Sequence, residues 1–280
     1  MTLGQKIKTE RRNKKITQEQ LCSGRITRNM LSQIENDKAS PSLDTLRFIA
    51  LSLELPLSYL VSESDDLFFY KKSEKIASIK SNFNDKKYKK CIDGIKTLGK
   101  TDDELSYMLT VCYFELGKQA TLDGSLKSAI KMLTLSKEER EHTIYRSERI
   151  DCLVDLYLSL ATNIKSPLLE LDSEKFEKTV LHSYDYDFYK FIVGDTSYNY
   201  SDSIFAMHIS AKQLIKDRKY ADALSVLRKV EAARNNKNYN AYLVLSLYTD
   251  MENCFKQLAD FENAYKYSAK RMTLIDQFNN

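Results

Sequence analysis

The chain has 280 residues, and its seven glycines and three prolines are too few for a turn-rich all-β fold. A hydrophobic fraction of 42% and a charged fraction of 29% exclude a disordered chain. No apolar run approaches the roughly 18 residues of a membrane span, and the first residues lack the apolar segment of a signal peptide, so we expect a cytoplasmic protein with no membrane partner. Five scattered cysteines and three isolated histidines predict buried thiols and no metal site.

The net charge of +4 is concentrated in the first fifth of the chain. Residues 1–62 carry ten basic and six acidic side chains, whereas the remainder carries 33 of each. Basic asymmetry of this kind favours a polyanionic partner for the N-terminal segment.

Five short helices are predicted in residues 1–62. The clearest signal is a capping box at Thr17, where the threonine caps the amide of Gln20 and the glutamine reaches back. Gly24 is free to take a positive φ in a tight turn, and Thr27 is the next N-cap candidate. The predicted helices begin, in chain order, near Leu3, Thr17, Thr27, Leu43 and Pro56.

The second and third of these helices, joined by a glycine turn, form a helix-turn-helix unit whose second helix lies in the DNA major groove. Helical spacing places four apolar residues on its core side: Ile26, Met30, Leu31 and Ile34. The outer side carries Arg28, Asn29, Ser32 and Gln33. Arg can form two hydrogen bonds with guanine, and Asn or Gln can form two with adenine. A merely solvated polar face is the alternative interpretation of these side chains.

The segments TQEQL, ITRNMLSQIEND and SPSLDTLRFIALSLELPLSYL resemble the lambda-repressor/Cro-type (XRE) helix-turn-helix family over residues 3–61. The turn is one residue shorter than usual, and Asp37 stands where glycine is common. The resemblance implies a dimer on a palindromic site in double-stranded DNA. The predicted DNA-binding residues are Thr17, Gln18, Thr27, Arg28, Asn29, Ser32, Gln33, Asn36 and Lys38.

Beyond residue 70 a short pattern recurs at intervals of 38 to 50 residues: a bulky apolar residue, two variable residues and a small one. A small residue lets two helices approach, and a large one fills the neighbouring groove. The pattern resembles an array of tetratricopeptide-type helical hairpins, with a non-repeating bundle as the alternative. The copies are Tyr88–Cys91, Leu126–Ala129, Tyr220–Ala223 and Phe261–Ala264, with a weaker one at Phe176–Thr179.

The predicted fold is therefore all-α. Residues 1–62 are expected to form a five-helix DNA-binding domain, and the acidic stretch within residues 63–70 a linker. Residues 71–280 are expected to form an α-solenoid of tetratricopeptide-like hairpins that binds a ligand and dimerises. Residues 181–203 are the least repeat-like and are interpreted as a connection between repeats.

A stacked array of hairpins presents a concave groove, and such grooves commonly take a peptide. Counting from the repeat pattern places one set of polar and aromatic residues on that groove. The predicted peptide-binding residues are Phe114, Lys118, Phe205, His208, Lys212, Ser246, Thr249, Asn253 and Lys256.

The sequence contains none of the common nucleotide-binding, metalloprotease or serine-hydrolase motifs, so we expect no enzymatic activity and no cofactor. The order of domains and the chain length resemble peptide-pheromone regulators of Gram-positive bacteria, the Rgg, PlcR and PrgX type. That resemblance implies a quorum-sensing transcription regulator: a homodimer that binds a palindromic operator and a short signalling peptide. Two alternatives remain at this point, a repressor whose repeats bind a protein partner and a repeat scaffold that inhibits a partner protein.

Overall fold

A computed structural model describes residues 1–62, 67–163, 172–233 and 239–279. Within these ranges the chain forms sixteen helices and no strand, which confirms the all-α prediction. The chain divides into two compact units. We call them the head (residues 1–81 with 94–100) and the body (residues 82–93 with 101–280).

The head begins with the five short helices that the sequence predicts, followed by a longer one. They are α1 (Leu3–Asn13), α2 (Gln18–Cys22), α3 (Arg28–Glu35), α4 (Leu43–Ser52), α5 (Leu57–Val61) and α6 (Phe68–Asn84). Residues 63–66 of the predicted linker lie outside the described residues, and the predicted domain boundaries stay a prediction. Leu67 and Tyr70, at the end of that linker, pack against the apolar core of the head.

Ten more helices follow in the described part of the chain. They are α7 (Tyr88–Lys96), α8 (Asp103–Asp123), α9 (Leu126–Arg140), α10 (Glu148–Thr162), α11 (Ser173–Val180), α12 (Tyr184–Val193), α13 (Ser203–Lys216), α14 (Tyr220–Ala232), α15 (Ala241–Gln257) and α16 (Phe261–Asn279).

Local sequence signals explain how the head folds. Thr17 accepts the amide of Gln20 at 3.1 Å while the Gln20 side chain accepts the amide of Thr17 at 2.8 Å, so the predicted capping box is present. Gly24 has the predicted positive φ, at 73°, and Ser23 before it also lies in the left-handed region at 42°. Two consecutive left-handed residues reverse the chain between α2 and α3.

One core prediction in the head is wrong. Leu31 and Ile34 are buried as expected and the half-buried Ile26 packs against the same core, but Met30 is 36% exposed. The third buried residue of α3 is Glu35, which completes an i, i+3, i+4 stripe with Leu31 and Ile34. Met30 lies about 40° beyond Ile34 around the helix axis, at the edge of that stripe.

Four copies of the repeated pattern begin a helix, namely α7, α9, α14 and α16, and the last three of these pack against the helix before them. Each is preceded, two residues earlier, by a left-handed residue, and the next amide bonds a carbonyl five residues back at 2.8–2.9 Å. This is the Schellman helix end, which turns the chain sharply. The left-handed residues are Lys86, Gly124, Arg218 and Ala259.

The small residue of each of these copies is buried, as the repeat interpretation requires. Cys91, Ala129 and Ala223 are 0% exposed, and Ala264 is 2% exposed. The weaker copy departs from the pattern, because Phe176 is the fourth residue of α11 and Asp172 caps that helix from an extended conformation. The body is thus a helical repeat domain with an irregular middle.

That middle is a packed part of the core rather than a loose connection. Phe188 and Phe191 of α12 are buried, and their rings pack against that of Phe205 on α13. The buried carboxylate of Asp187 accepts the Tyr198 hydroxyl at 2.7 Å and the amide of Ser201 at 3.1 Å. Residues 181–203 therefore form an aromatic element with a carboxylate-anchored loop.

Candidate functional site

The outer side of α3 carries polar side chains that the fold does not use. Arg28, Asn29 and Gln33 are exposed, and within the described part of the chain none of their side chains makes a hydrogen bond or an ion pair. Ser32 is half-buried beside them. The apolar stripe of Leu31 and Ile34 fixes this orientation. Three side chains able to pair with base edges thus face away from the core on one short helix.

Other predicted DNA-binding residues serve as caps at the ends of helices. The hydroxyls of Thr17 and Thr27 accept the amides of Gln20 and Met30 at 3.1 Å, and each keeps a hydroxyl proton that can be donated outward. Asn36 donates to the Ser32 carbonyl at 2.7 Å. The same Asn36 side chain accepts a bond from Lys8 at 3.3 Å. Lys38 is exposed.

Asp37, the residue that departs from the usual family pattern, has a structural role. Its φ is 55°, a left-handed conformation that Asp adopts more readily than most residues. Its carboxylate accepts the amide of Gly4 at 3.0 Å and a hydrogen bond from the Thr2 hydroxyl. The end of α3 is thereby tied to the start of α1. A Cβ on Gly4 would lie 2.1 Å from the Ile34 carbonyl oxygen, so only glycine fits there.

Gln18 is held by a buried ion pair that the sequence reasoning missed. Arg11 of α1 binds Glu35 of α3 through Nε–Oε1 at 2.6 Å and Nη2–Oε2 at 3.0 Å. Gln18 Nε2 donates to Glu35 Oε2 at 2.8 Å. Burial acts to raise the pKa of Glu35, but the bonds from Arg11 and Gln18 outweigh it and leave that pKa lowered. A carboxylate on the core stripe of α3 was the signal that a basic partner lies nearby.

In the body, Lys118 lies where three helices meet. Its ammonium pairs with Asp185 of α12 at 2.5 Å and lies over the rings of Tyr157 and Tyr184. Tyr157, which is fully buried, donates its hydroxyl to the same Asp185 oxygen at 2.6 Å. Burial raises the pKa of Tyr157 well above its ordinary value, so it stays a donor. Of these residues only Lys118 was predicted from the sequence.

The predicted residues His208 and Lys212 of α13 are brought together by a carboxylate that was not predicted. Asp250 of α15 accepts from Lys212 Nζ at 2.8 Å and lies 2.8 Å from His208 Nε2. Burial lowers the pKa of His208, against the opposing effect of its bond to Asp250. A neutral His208 donating from Nε2 leaves Nδ1 without a partner among the described residues.

The prediction that Phe114, Phe205 and His208 line a peptide groove is wrong, because all three side chains are buried. Phe114 is 3% exposed, and Phe205 and His208 are 0% exposed, so they contribute to the core and offer no surface. The remaining predicted residues differ in exposure. Lys118, Lys212 and Ser246 are half-buried, whereas Thr249, Asn253 and Lys256 are exposed. Lys256 pairs with Glu252 one turn earlier, at 2.6 Å.

The described residues contain no group of three or more His, Cys, Asp or Glu side chains that could hold a metal ion. Nor does any helix within the described ranges have the length and apolar character needed to cross a membrane.

The fold and the exposed side of α3 define the head as a helix-turn-helix domain. A family described as helix-turn-helix domain matches residues 4–65. The immunity repressor protein of Bacillus phage phi105 is 42% identical over 64 residues, which are 22% of this chain and 44% of that protein. The match thus spans less than half the length of that repressor.

Solved structures align over nearly the whole chain at low identity. Bacillus thuringiensis PlcR in complex with the peptide PapR7 and DNA is 19% identical, covering 98% of this chain and 95% of that one, with a TM-score of 0.24. ComR from S. thermophilus in complex with DNA and its signalling peptide ComS is 17% identical, covering 98% and 99%, with a TM-score of 0.25. The PrgX/cCF10 complex is 14% identical, covering 100% and 99%, with a TM-score of 0.22.

Proposed function

We propose that the protein is a cytoplasmic DNA-binding transcription regulator, not an enzyme, whose body binds a short signalling peptide and thereby controls promoter binding. The observation that carries the DNA-binding part is the outer side of α3, where Arg28, Asn29 and Gln33 are exposed and unpaired among the described residues. The helix-turn-helix match over residues 4–65 and the phage repressor similarity support the same conclusion. The proposed DNA-binding residues remain the nine predicted from the sequence.

The test is in vitro selection of bound fragments from a random-sequence duplex library, using the full chain. We expect the wild-type protein to enrich a palindromic motif, because a dimer of helix-turn-helix heads reads two half-sites about one helical turn apart. The triple variant Arg28→Ala/Asn29→Ala/Gln33→Ala should enrich none. Lys229→Ala, which removes an exposed charge from α14 in the body, is the matched control and should enrich the wild-type motif. Equal enrichment by the triple variant would contradict the proposal.

The peptide part of the proposal is supported by the polar residues of α8, α13 and α15. Lys118 and Lys212 each reach a carboxylate on another helix, and Thr249 and Asn253 are exposed on α15. Carboxamides and hydroxyls can pair with a peptide backbone, and lysines can pair with its carboxylates. The proposed peptide-binding set therefore retains these four residues with Ser246 and Lys256.

Native mass spectrometry of the full chain, incubated with the peptide fraction of spent culture medium, tests this part. We expect added mass that fragments as a short peptide, and weaker retention by Lys212→Ala or Asn253→Ala than by Lys229→Ala. If no peptide mass is retained by the wild-type chain, the body binds some other partner, and the peptide proposal is wrong.

A homodimer is supported by the last helix. Phe261, Tyr265 and Met272 of α16 are 69%, 78% and 50% exposed. At the position of Phe261, the earlier copies carry Leu126, which is 6% exposed, and Tyr220, which is half-buried. Exposed apolar side chains aligned on one helix indicate a covering partner, which we propose is a second copy. Sedimentation should show a dimer that Tyr265→Lys dissociates; a wild-type monomer would contradict it.

A further inference from the structure

The Arg11–Glu35–Gln18 network has a geometry that fixes which way the Gln18 side chain faces. Glu35 is a carboxylate and can only accept hydrogen bonds, so the amide nitrogen of Gln18, not its oxygen, must face it. Arg11 donates to both oxygens of the same carboxylate, sharing Oε2 with Gln18, and also donates to the Ile16 carbonyl at 2.8 Å. The Glu35 and Arg11 side chains are 1% and 11% exposed, so both ends of the network are shielded from water.

Gln18 itself is half-buried, and Nε2 carries two protons. One of them is taken by Glu35 at 2.8 Å. The other proton points away from the carboxylate, since the two N–H bonds of a planar amide diverge. A glutamine without such an anchor would sample several rotamers, and fixing them on binding would reduce affinity. The anchored side chain enters a complex with its donor already oriented.

We infer that Glu35, held by Arg11, is a positioning residue that aims the second Nε2 proton of Gln18 at a phosphate oxygen of the DNA backbone. This inference rests on the proposed DNA-binding function. It assigns to a buried ion pair a role in affinity, beyond its contribution to folding. The three residues come from α1, α2 and α3, so the network also sets where the start of α2 lies relative to the base-reading helix.

A double-mutant cycle separates the positioning role from a purely structural one. The probe is the duplex that the wild-type chain selects, and the readout is its dissociation constant. Gln18→Ala alone should weaken binding about tenfold, the value expected for a hydrogen bond to a charged group. The background variant Arg11→Met/Glu35→Leu removes both buried charges together, which proteins tolerate far better than removing one. In that background Gln18→Ala should change affinity less than about twofold, because the glutamine is no longer held.

A second variant supplies rescue without restoring the ion pair. In Arg11→Met/Glu35→Gln the introduced carboxamide can still accept the Gln18 proton, so we expect the tenfold effect of Gln18→Ala to return. The salt dependence of binding should stay unchanged throughout, because no charged phosphate contact is lost, whereas Lys38→Ala should reduce the slope by about one. Thermal unfolding of each variant without DNA reports the structural role separately.

The possible outcomes are distinct. A tenfold effect of Gln18→Ala in both backgrounds would overturn the inference while leaving DNA binding intact. No effect of Gln18→Ala in the wild-type background would overturn it as well. A wild-type chain that selects no duplex would contradict the proposed function itself, and the inference with it.

Discussion

The head and the body use polar residues in opposite ways. On α3 of the head, the side chains suited to bases are exposed and have no partner among the described residues, while a buried ion pair lies behind them. In the body, two of the three lysines predicted to face a ligand, Lys118 and Lys212, pair with Asp185 and Asp250 from other helices. The DNA-binding surface of the head can therefore be recognised from the sequence of one short helix. In the body, by contrast, the polar groups also hold the helices together.

The largest loss of stability expected from a single substitution comes from removing one partner of the buried ion pair between Arg11 and Glu35. Glu35→Leu leaves Arg11 buried without its carboxylate, and we expect a loss of about 3–5 kcal/mol in the free energy of unfolding. Urea denaturation of the full chain, followed by a probe in the head, measures it. The control is Arg11→Met/Glu35→Leu, which removes both charges and should cost far less. Equal losses for the two variants would mean that an unpaired charge is not the cause.

A second prediction concerns the body, where apolar packing rather than an ion pair dominates. Gly124 has a φ of 83°, and a Cβ there would lie 2.2 Å from the Phe278 ring and 3.3 Å from the Ala241 Cβ. Gly124→Ala should therefore lower the free energy of unfolding by about 2–4 kcal/mol, from backbone strain and overpacking together.

Gly194→Ala is the matched control in the same unit. Gly194 has a φ of 72°, and a Cβ there would meet nothing within 4 Å. We expect only the backbone cost of about 1–2 kcal/mol. If the two alanine variants unfold at the same urea concentration, Phe278 does not pack against Gly124 in solution.

The smallest expected effect is a pH dependence of stability that arises from the buried His208 in the body. Burial lowers the pKa of His208, so the unfolded chain takes up a proton more readily than the folded one. Stability from this residue is present above the unfolded pKa of about 6.5 and is lost as the pH falls towards the folded value. The free energy of unfolding of the wild-type chain should therefore fall as the pH is lowered below about 6.5.

His208→Gln is the variant that checks this pH dependence. It keeps a donor for Asp250 but cannot be protonated, so its urea midpoint should change less between pH 7.5 and pH 5.5 than that of the wild-type chain. Asp250 and Lys212 are the charged groups that face His208, and both remain in the variant. An identical pH dependence in the two proteins would show that another group titrates.

Local signals made most of the architecture predictable from the sequence. The Thr17 capping box and the bulky-small pattern at Leu126–Ala129 depend on neighbouring residues, and both are present in the structure. Contacts between distant helices were not predictable. Asp185 and Asp250 carry no local pattern that pairs them with Lys118 and Lys212, and the groove assignment of Phe205 failed because α12 covers it.

The central claim is that the outer side of α3 reads a DNA sequence, and one measurement tests it most directly. Fluorescence anisotropy should compare the affinity of the full chain for its selected duplex with that for a shuffled duplex of the same composition, at one salt concentration. We predict at least a thousandfold preference for the selected duplex, and no preference in Arg28→Ala/Asn29→Ala/Gln33→Ala, since specific sites bind roughly 10³–10⁷ times tighter than non-specific ones. A triple variant that keeps the preference would contradict the account.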